Sequence, residues 1–251
     1  MWPNISFDYS GASVLVTGGT SGLGASIAAA YNEAGATVTI TGTRPSAAAY
    51  DEDLSGYRYL QMNVENRDDI DRVAGALPAL DIVVNSAGLA FFMLGLDEYE
   101  PDVFERAIIM HLTSVQRLAA RCAPALMQSR LPGGASIVSM ASMSSFFGID
   151  LVPGYGAGKT GLLGLTRVLA VHWAKQNIRV NALAVGMSHS RMTAGVLETP
   201  AIADAMLARV PLGRHGIPAD AAGATLFLTS AAASWITGQT LAVDGGYSIS
   251  G

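Results

Sequence analysis

Three side chains in the stretch 142–159, SMSSFFGIDLVPGYGAGK, could do chemistry together. Tyr155 and Lys159 are four residues apart and share a face if a helix begins there. Gly156, Ala157 and Gly158 between them are small, so a flat group could pack against that face. A phenol, with an ordinary pKa of about 10, gives up its proton poorly at neutral pH. A neighbouring ammonium favours the phenolate and lowers that value, which makes the pair a candidate acid/base. The Ser142 hydroxyl would then hold a substrate oxygen while Tyr155 exchanges a proton with it. Tyrosine and lysine at this spacing are common on helices that do no chemistry, so the surrounding elements must decide.

The chain has 251 residues, half of them hydrophobic and 14% charged, enough for one sizeable core and too apolar for a disordered chain. Its apolar runs are broken; Leu162–Ala174, for example, contains Thr166, Arg167 and His172. None reaches the ~18–20 residues a membrane span needs. The opening MWPNISFDYSGAS has no basic residue ahead of its apolar positions, so no secretory leader is expected. A single cysteine, Cys122, excludes an internal disulfide and suits a reducing compartment, so a cytoplasmic location is expected. A net charge of −5 disfavours nucleic acid and anionic membranes as partners. The histidines His111, His172, His189 and His215 lack a spaced set of Cys, Asp or Glu, so no metal site is expected. No Gly-x-Ser-x-Gly occurs, which leaves a hydrolase of similar layout unsupported.

The elements that must position the reactive trio read as alternating strands and helices. Residues 13–17 form a short apolar strand, followed by the glycine loop Gly18 to Gly24 and an alanine-rich helix over 25–34. Strand, glycine loop and helix in that order present free N–H groups and a positive helix end to a pyrophosphate. Further strands are predicted at 36–41, 57–62, 80–84, 135–140, 178–185 and 240–243. Helices are predicted at 65–77, 101–127 and from Tyr155 to about 176, the second carrying Phe104, Ile108, Leu112, Val115 and Leu118 at helical spacing. Such alternation implies a parallel sheet with right-handed crossovers, an α/β fold.

Taken together, these pieces resemble the short-chain dehydrogenase/reductase family along nearly the whole chain. The motifs arrive in family order: Thr17-Gly18-x-x-x-Gly22-x-Gly24, Asn85-x-Ala87-Gly88, Ser142, Tyr155-x-x-x-Lys159 and Arg179-Val180-Asn181. The tail stretches PLGRHGIP (211–218) and ITGQTLAVDGG (236–246) are similar to the same family. The resemblance implies one Rossmann-type doubly wound domain over 1–251, a seven-stranded parallel sheet with helices on both faces, and a lid at about 187–213. It also implies an NAD(P)-dependent oxidoreductase interconverting a secondary alcohol and a ketone. Tyr155 would be the general acid/base, Ser142 the holder of the substrate oxygen, and Lys159 the residue that binds the nicotinamide ribose and lowers the phenol pKa. The implied dinucleotide site comprises Gly18, Thr20, Ser21, Gly22, Leu23 and Gly24, then Arg44, Asn63 and Val64. Asn85, Ala87, Gly88, Tyr155, Lys159, Gly186, Ser188 and Ser190 complete it.

Several positions depart from the family pattern. Asn63 stands where Asp commonly contacts adenine, Ser86 replaces the second Asn of Asn-Asn-Ala-Gly, Val185 replaces a Pro, and Ser190 replaces a Thr. The large departure is His111, where the family has an Asn that serves a proton relay. An imidazole could serve the same relay and, if it charged, would add an ionisation to the pH–rate profile. At the end of the second strand Thr41-Gly42-Thr43 carries no carboxylate and Arg44 follows, which favours NADP(H) over NAD(H). Against that, Ser21 stands where many NADP-dependent members carry a basic residue. Phe91, Phe92, Met143, Phe147, Met187 and Met192 are expected to line a largely apolar substrate pocket. His189 and Arg191 fall in the lid segment. A homotetramer is expected from the family. Two other functions compete: a 3-oxoacyl-[acyl-carrier-protein] reductase, which would need a basic patch for its acidic carrier, and a non-catalytic dinucleotide-binding regulator.

Overall fold

The computed structural model describes residues 4–190 and 192–250. Seven strands form one sheet: β1 (Ser13–Thr17), β2 (Thr37–Gly42), β3 (Arg58–Gln61), β4 (Ile82–Asn85), β5 (Ala135–Ser142), β6 (Ile178–Val185) and β7 (Thr240–Val243). Their spatial order is β3-β2-β1-β4-β5-β6-β7, and every pairing is parallel. Parallel sheets are covered on both faces, so their strands are apolar on both sides. That is seen on β1, where Leu15 enters one core while Val14 and Val16 enter the other, and on β4, where Val83 opposes Ile82 and Val84. One core packs α2 (Arg67–Gly75), α4 (Ser114–Leu126) and α5 (Pro153–Trp173) on the sheet. The opposite core packs α1 (Gly22–Glu33) and α8 (Pro218–Thr229).

The helix expected over 101–127 is α3 (Pro101–Ile108) joined to α4 through a π-helical stretch, Ile109–Thr113. His111 lies at its middle and is buried. π stretches are rare and concentrate at functional sites. Two short helices, α6 (Ala194–Leu197) and α7 (Pro200–Leu207), lie within the expected lid segment. Neither they nor α8 were marked by the sequence reading.

Register brings the reactive segments together. Thr17 and Asn85, the last residues of β1 and β4, stand side by side next to Ser139 of β5, and Ser142 at the end of β5 pairs with Val185 at the end of β6. In open α/β sheets this carboxyl edge, where strand order reverses beside β1, is where ligands bind.

Candidate active site

The glycine loop meets the β4 loop closely enough that side chains are excluded. A Cβ on Gly18, which has φ +65°, would stand 2.8 Å from the Ala87 Cα. A Cβ on Gly24 would stand 2.3 Å from the Gly18 carbonyl oxygen, so this glycine lets α1 start against the loop. Thr17 pins the facing segment: its Oγ1 accepts from Ser86 N and Ala87 N, both at 3.0 Å. Asn85 Nδ2 donates to Ser139 Oγ at 3.0 Å, joining that segment to β5.

The N-terminus of α1 is open to an anion. Ser21 stands at its cap without a side-chain bond to the helix, and the first turn holds no acidic residue. Gly22 lies beneath Ser190, a Cβ there reaching the Ser190 Cβ at 3.6 Å. Thr20 is buried, and Leu23 is half-buried on the first turn. Uncapped N–H groups, a small-residue cradle and a positive helix end fit the pyrophosphate of a dinucleotide.

At the end of β2, Arg44 is exposed with its guanidinium 4.8 Å above the Tyr50 ring, donating to Ala49 O. The Tyr50 hydroxyl accepts from Arg44 N at 3.0 Å and reaches over Gly42. Beyond β3, Asn63 N donates to Asp69 Oδ2 at 2.9 Å and Asn63 Oδ1 accepts from Glu65 N at 3.0 Å. Val64 packs inward against two core clusters. Gly186 admits Asp244, whose Cα a Cβ would approach to 2.8 Å. Ser188 is buried with its hydroxyl unpartnered among the described residues, while Ser190 and Thr193 bond each other through their hydroxyls at 3.0 Å.

Ser142, Tyr155 and Lys159 converge at the end of β5. The Ser142 side chain lies close enough to the Tyr155 phenol to lower its pKa, and its Oγ accepts from Ser144 N at 3.2 Å. Lys159 is buried, its Nζ 5.6 Å from the centroid of the Tyr155 ring and bonded to Met140 O at 2.5 Å. Burial depresses the ammonium pKa to about 8. The expected lowering of the phenol is not what this arrangement produces. Burial raises the Tyr155 pKa; Ser142 lowers it and the Glu98 carboxylate raises it further. The reason is burial, which outweighs the lowering by Ser142.

His111 completes the group, its ring edge-on to Tyr155 with centroids 4.7 Å apart. It is wedged between glycines: a Cβ on Gly88 would stand 2.7 Å from its Cε1, and one on Gly158 2.9 Å from its Cβ. Nε2 lies 2.9 Å from Leu89 O, while Nδ1 has no partner among the described residues. Burial first, then the Lys159 charge, holds its pKa well below the ordinary imidazole range. The added ionisation anticipated for an imidazole here is therefore not expected, because the ring stays neutral.

Two of the expected pocket residues belong to the core. Phe91 is fully buried with Ala107 and Met110, beneath the Arg106 guanidinium at 4.7 Å. Met143 packs with Ala141, Leu162 and Leu163. Phe92, Phe147, Met187 and Met192 are half-buried, and Phe147 meets the Tyr247 ring at 5.9 Å. Exposed apolar side chains that the sequence reading left out of the pocket, Leu94 and Ile149, lie on the same two segments as Phe92 and Phe147. His189 and His215 face each other at 6.0 Å, and among the described residues no three potential ligands cluster as a metal site requires. Arg191 lies outside the described residues.

The sequence reading also missed Glu98, which is 1% exposed. Its Oε2 accepts from Tyr155 N at 2.7 Å and its Oε1 from Phe91 N at 2.9 Å. No local pattern marks it, because its partners lie on other elements.

Comparison with known proteins agrees with this geometry. A family model described as enoyl-(acyl carrier protein) reductase matches residues 18–248. The 3α-hydroxysteroid dehydrogenase of Mediterraneibacter gnavus is 34% identical, over 92% of this chain and 94% of the relative. The 2-dehydro-3-deoxy-D-gluconate 5-dehydrogenase of Escherichia coli is also 34% identical, over 96% of this chain and 97% of its own. A crystal structure of a putative NAD(P)-dependent gluconate 5-dehydrogenase from Beutenbergia cavernae, with bound NADP, superposes with a TM-score of 0.86 at 32% identity. It covers 98% of this chain and 100% of that one. With the sheet order, the glycine loop and the Ser142–Tyr155–Lys159 group in place, the chain belongs to the short-chain dehydrogenase/reductase family and is an NAD(P)-binding oxidoreductase of hydroxyl and keto groups.

Proposed function

We propose that the protein interconverts a largely apolar secondary alcohol and its ketone, with NADP(H) preferred over NAD(H). The observation that carries the chemistry is the buried Lys159 ammonium 5.6 Å from the centroid of the Tyr155 ring, with the Ser142 side chain beside the same phenol. The nicotinamide, when bound, exchanges the hydride. Ser142 holds the substrate oxygen beside the phenol, and Tyr155 gives or takes that oxygen's proton. Lys159, bonded to Met140 O, has further N–H donors for a ribose hydroxyl. Drawn towards Tyr155 in that way, its charge would favour phenolate and offset the effect of burial. Asn85, Ala87 and Gly88 would line the cleft, and the segment 187–213 would close over it.

Support for an apolar substrate comes from the segments flanking the trio. Met93 and Leu94 on one, and Phe146, Ile149 and Leu151 on the other, are all 40–59% exposed. Support for NADP(H) comes from the end of β2, where an exposed guanidinium stands and no carboxylate would repel a 2′-phosphate. A 3-oxoacyl carrier-protein reductase is the less favoured reading. Three of the four arginines it would use are already paired, Arg106 with Glu65 and both Arg117 and Arg121 with Asp71, and of the four only Arg130 lacks a salt bridge among the described residues. A cytoplasmic homotetramer fits these properties.

A panel of secondary alcohols and ketones, read by nicotinamide absorbance with each cofactor, tests the proposal. Expected are turnover of apolar substrates and a higher kcat/KM with NADP(H). In the same assay Tyr155→Phe should lose about 10²–10⁴-fold in kcat with cofactor affinity retained, the range for general acid–base catalysis. Turnover restricted to sugars and polyols would overturn the substrate class, and a clear NAD preference the cofactor. Absence of turnover throughout would leave the regulator reading.

A further inference from the structure

We propose that Glu98 is a positioning residue for the reaction, its buried carboxylate setting where the Tyr155 hydroxyl stands by tying the first turn of α5 to the segment that holds His111. The proposal rests on Tyr155 being the acid/base. α5 begins with Pro153, which has no N–H, and Val152 at its cap offers no side-chain acceptor. A helix in this state leaves N–H groups of its first turn without partners. Glu98 supplies the missing acceptor from 57 residues upstream, accepting from Tyr155 N itself. Room for it comes from Gly154, where a Cβ would stand 2.8 Å from the Ala107 Cβ and 3.3 Å from Oε2.

A carboxylate this deeply buried needs compensation. No cation pairs with it among the described residues; two N–H groups and the positive end of a 21-residue helix take that part. The second oxygen, through Phe91 N, holds the turn two residues beyond Leu89, whose carbonyl holds His111. One side chain therefore fixes the phenol, the imidazole and the end of the β4 loop relative to one another. Its charge also faces Tyr155. The other titratable groups against that ring are Lys159 on α5 and His111 from the π-helical stretch. Of the three, Glu98 raises the phenol pKa.

Two variants separate reach from charge. Glu98→Gln keeps the length, removes the charge and turns an N–H against one of the two donors. Glu98→Asp keeps the charge but is too short to serve both. Each is measured for thermal unfolding, for kcat and KM, and for Tyr155 ionisation by ultraviolet difference titration against the matching Tyr155→Phe variant. The titration needs no substrate, so it stands even if the substrate class proves wrong. Expected in both is a kcat loss of about 10-fold or more with KM changed less than about threefold, as for a group displaced from its working geometry. The Tyr155 pKa should fall in Glu98→Gln and stay in place in Glu98→Asp. Folded variants with native kcat, or a phenol pKa unmoved in Glu98→Gln, would overturn the proposal. Should Glu98→Gln fail to fold, native kcat in Glu98→Asp would do the same.

Discussion

The imidazole of His111 can hold only one tautomer as placed. A carbonyl oxygen accepts and never donates, so the Nε2 that faces Leu89 O carries the proton and Nδ1 is a bare acceptor. Nδ1 can therefore hold a water by accepting from it. It cannot pass a proton onward, since the far side of the ring ends on a carbonyl. An amide oxygen can accept in the same way, so His111→Asn should keep kcat within a few-fold of native. His111→Ala should lower kcat about 10-fold or more, as loss of the acceptor that holds a water near Lys159 would. Because the ring's pKa is held well below the imidazole range, native and His111→Asn enzymes should give superimposable pH–rate profiles above that range. A native ionisation near neutrality that His111→Asn removes would show the ring to be charging.

At the scale of an element, α5 carries a buried ammonium for the sake of chemistry. The fall of the Lys159 pKa from 10.5 to about 8 corresponds to about 3 kcal/mol against the charged form. Lys159→Met should remove that cost, less about 1 kcal/mol for the bond lost at Met140 O. The folded pKa lies below the unfolded one, so the native protein carries the full cost below about pH 8 and sheds it as pH rises towards 10.5. Thermal unfolding of Lys159→Met should therefore exceed native at pH 7 and converge with it, or fall below it, near pH 10. A variant less stable at pH 7 would show that the ammonium contributes more through its bond than it loses by burial.

Elements also divide what the sequence reveals from what it hides. The strands were legible because runs such as SVLVT and IRVNALAV sit between helices and end in turn glycines or asparagines. The trio was legible through its spacing. The π-helical stretch was not, since the apolar stripe from Phe104 to Leu118 reads as one regular helix until the position of His111 is seen. Glu98 was hidden because its partners are backbone N–H groups, which every residue type offers alike. Phe91 and Met143 misled because apolar side chains of a pocket and of a core have the same composition.

Among the described residues, apolar side chains lie uncovered on α5 and beside β7. On the outer side of α5, Val168 and Val171 are 66% and 81% exposed, although Leu162, Leu163 and Leu169 of the same run point inward. Around β7, Trp235 and Ile249 are 98% and 87% exposed. Two separate faces on one chain suit a homotetramer built from two kinds of two-fold contact. Light scattering should then give four copies, and Val171→Glu or Trp235→Glu should each shift the species towards dimers. A native monomer would refute this assembly.

The two glycines beside His111 do not constrain change in the same way. Gly158 faces the Cβ at position 111, an atom that every residue except glycine possesses, so no replacement there of useful size frees Gly158. Gly88 faces the ring itself, and its φ of +157° adds a backbone cost of its own. Descent with modification can therefore proceed at 88 only after 111 has shrunk, and then only in part. An Ala at 88 is closed while the imidazole stays, whereas shrinking 111 first removes the clash with the ring and leaves only the backbone cost.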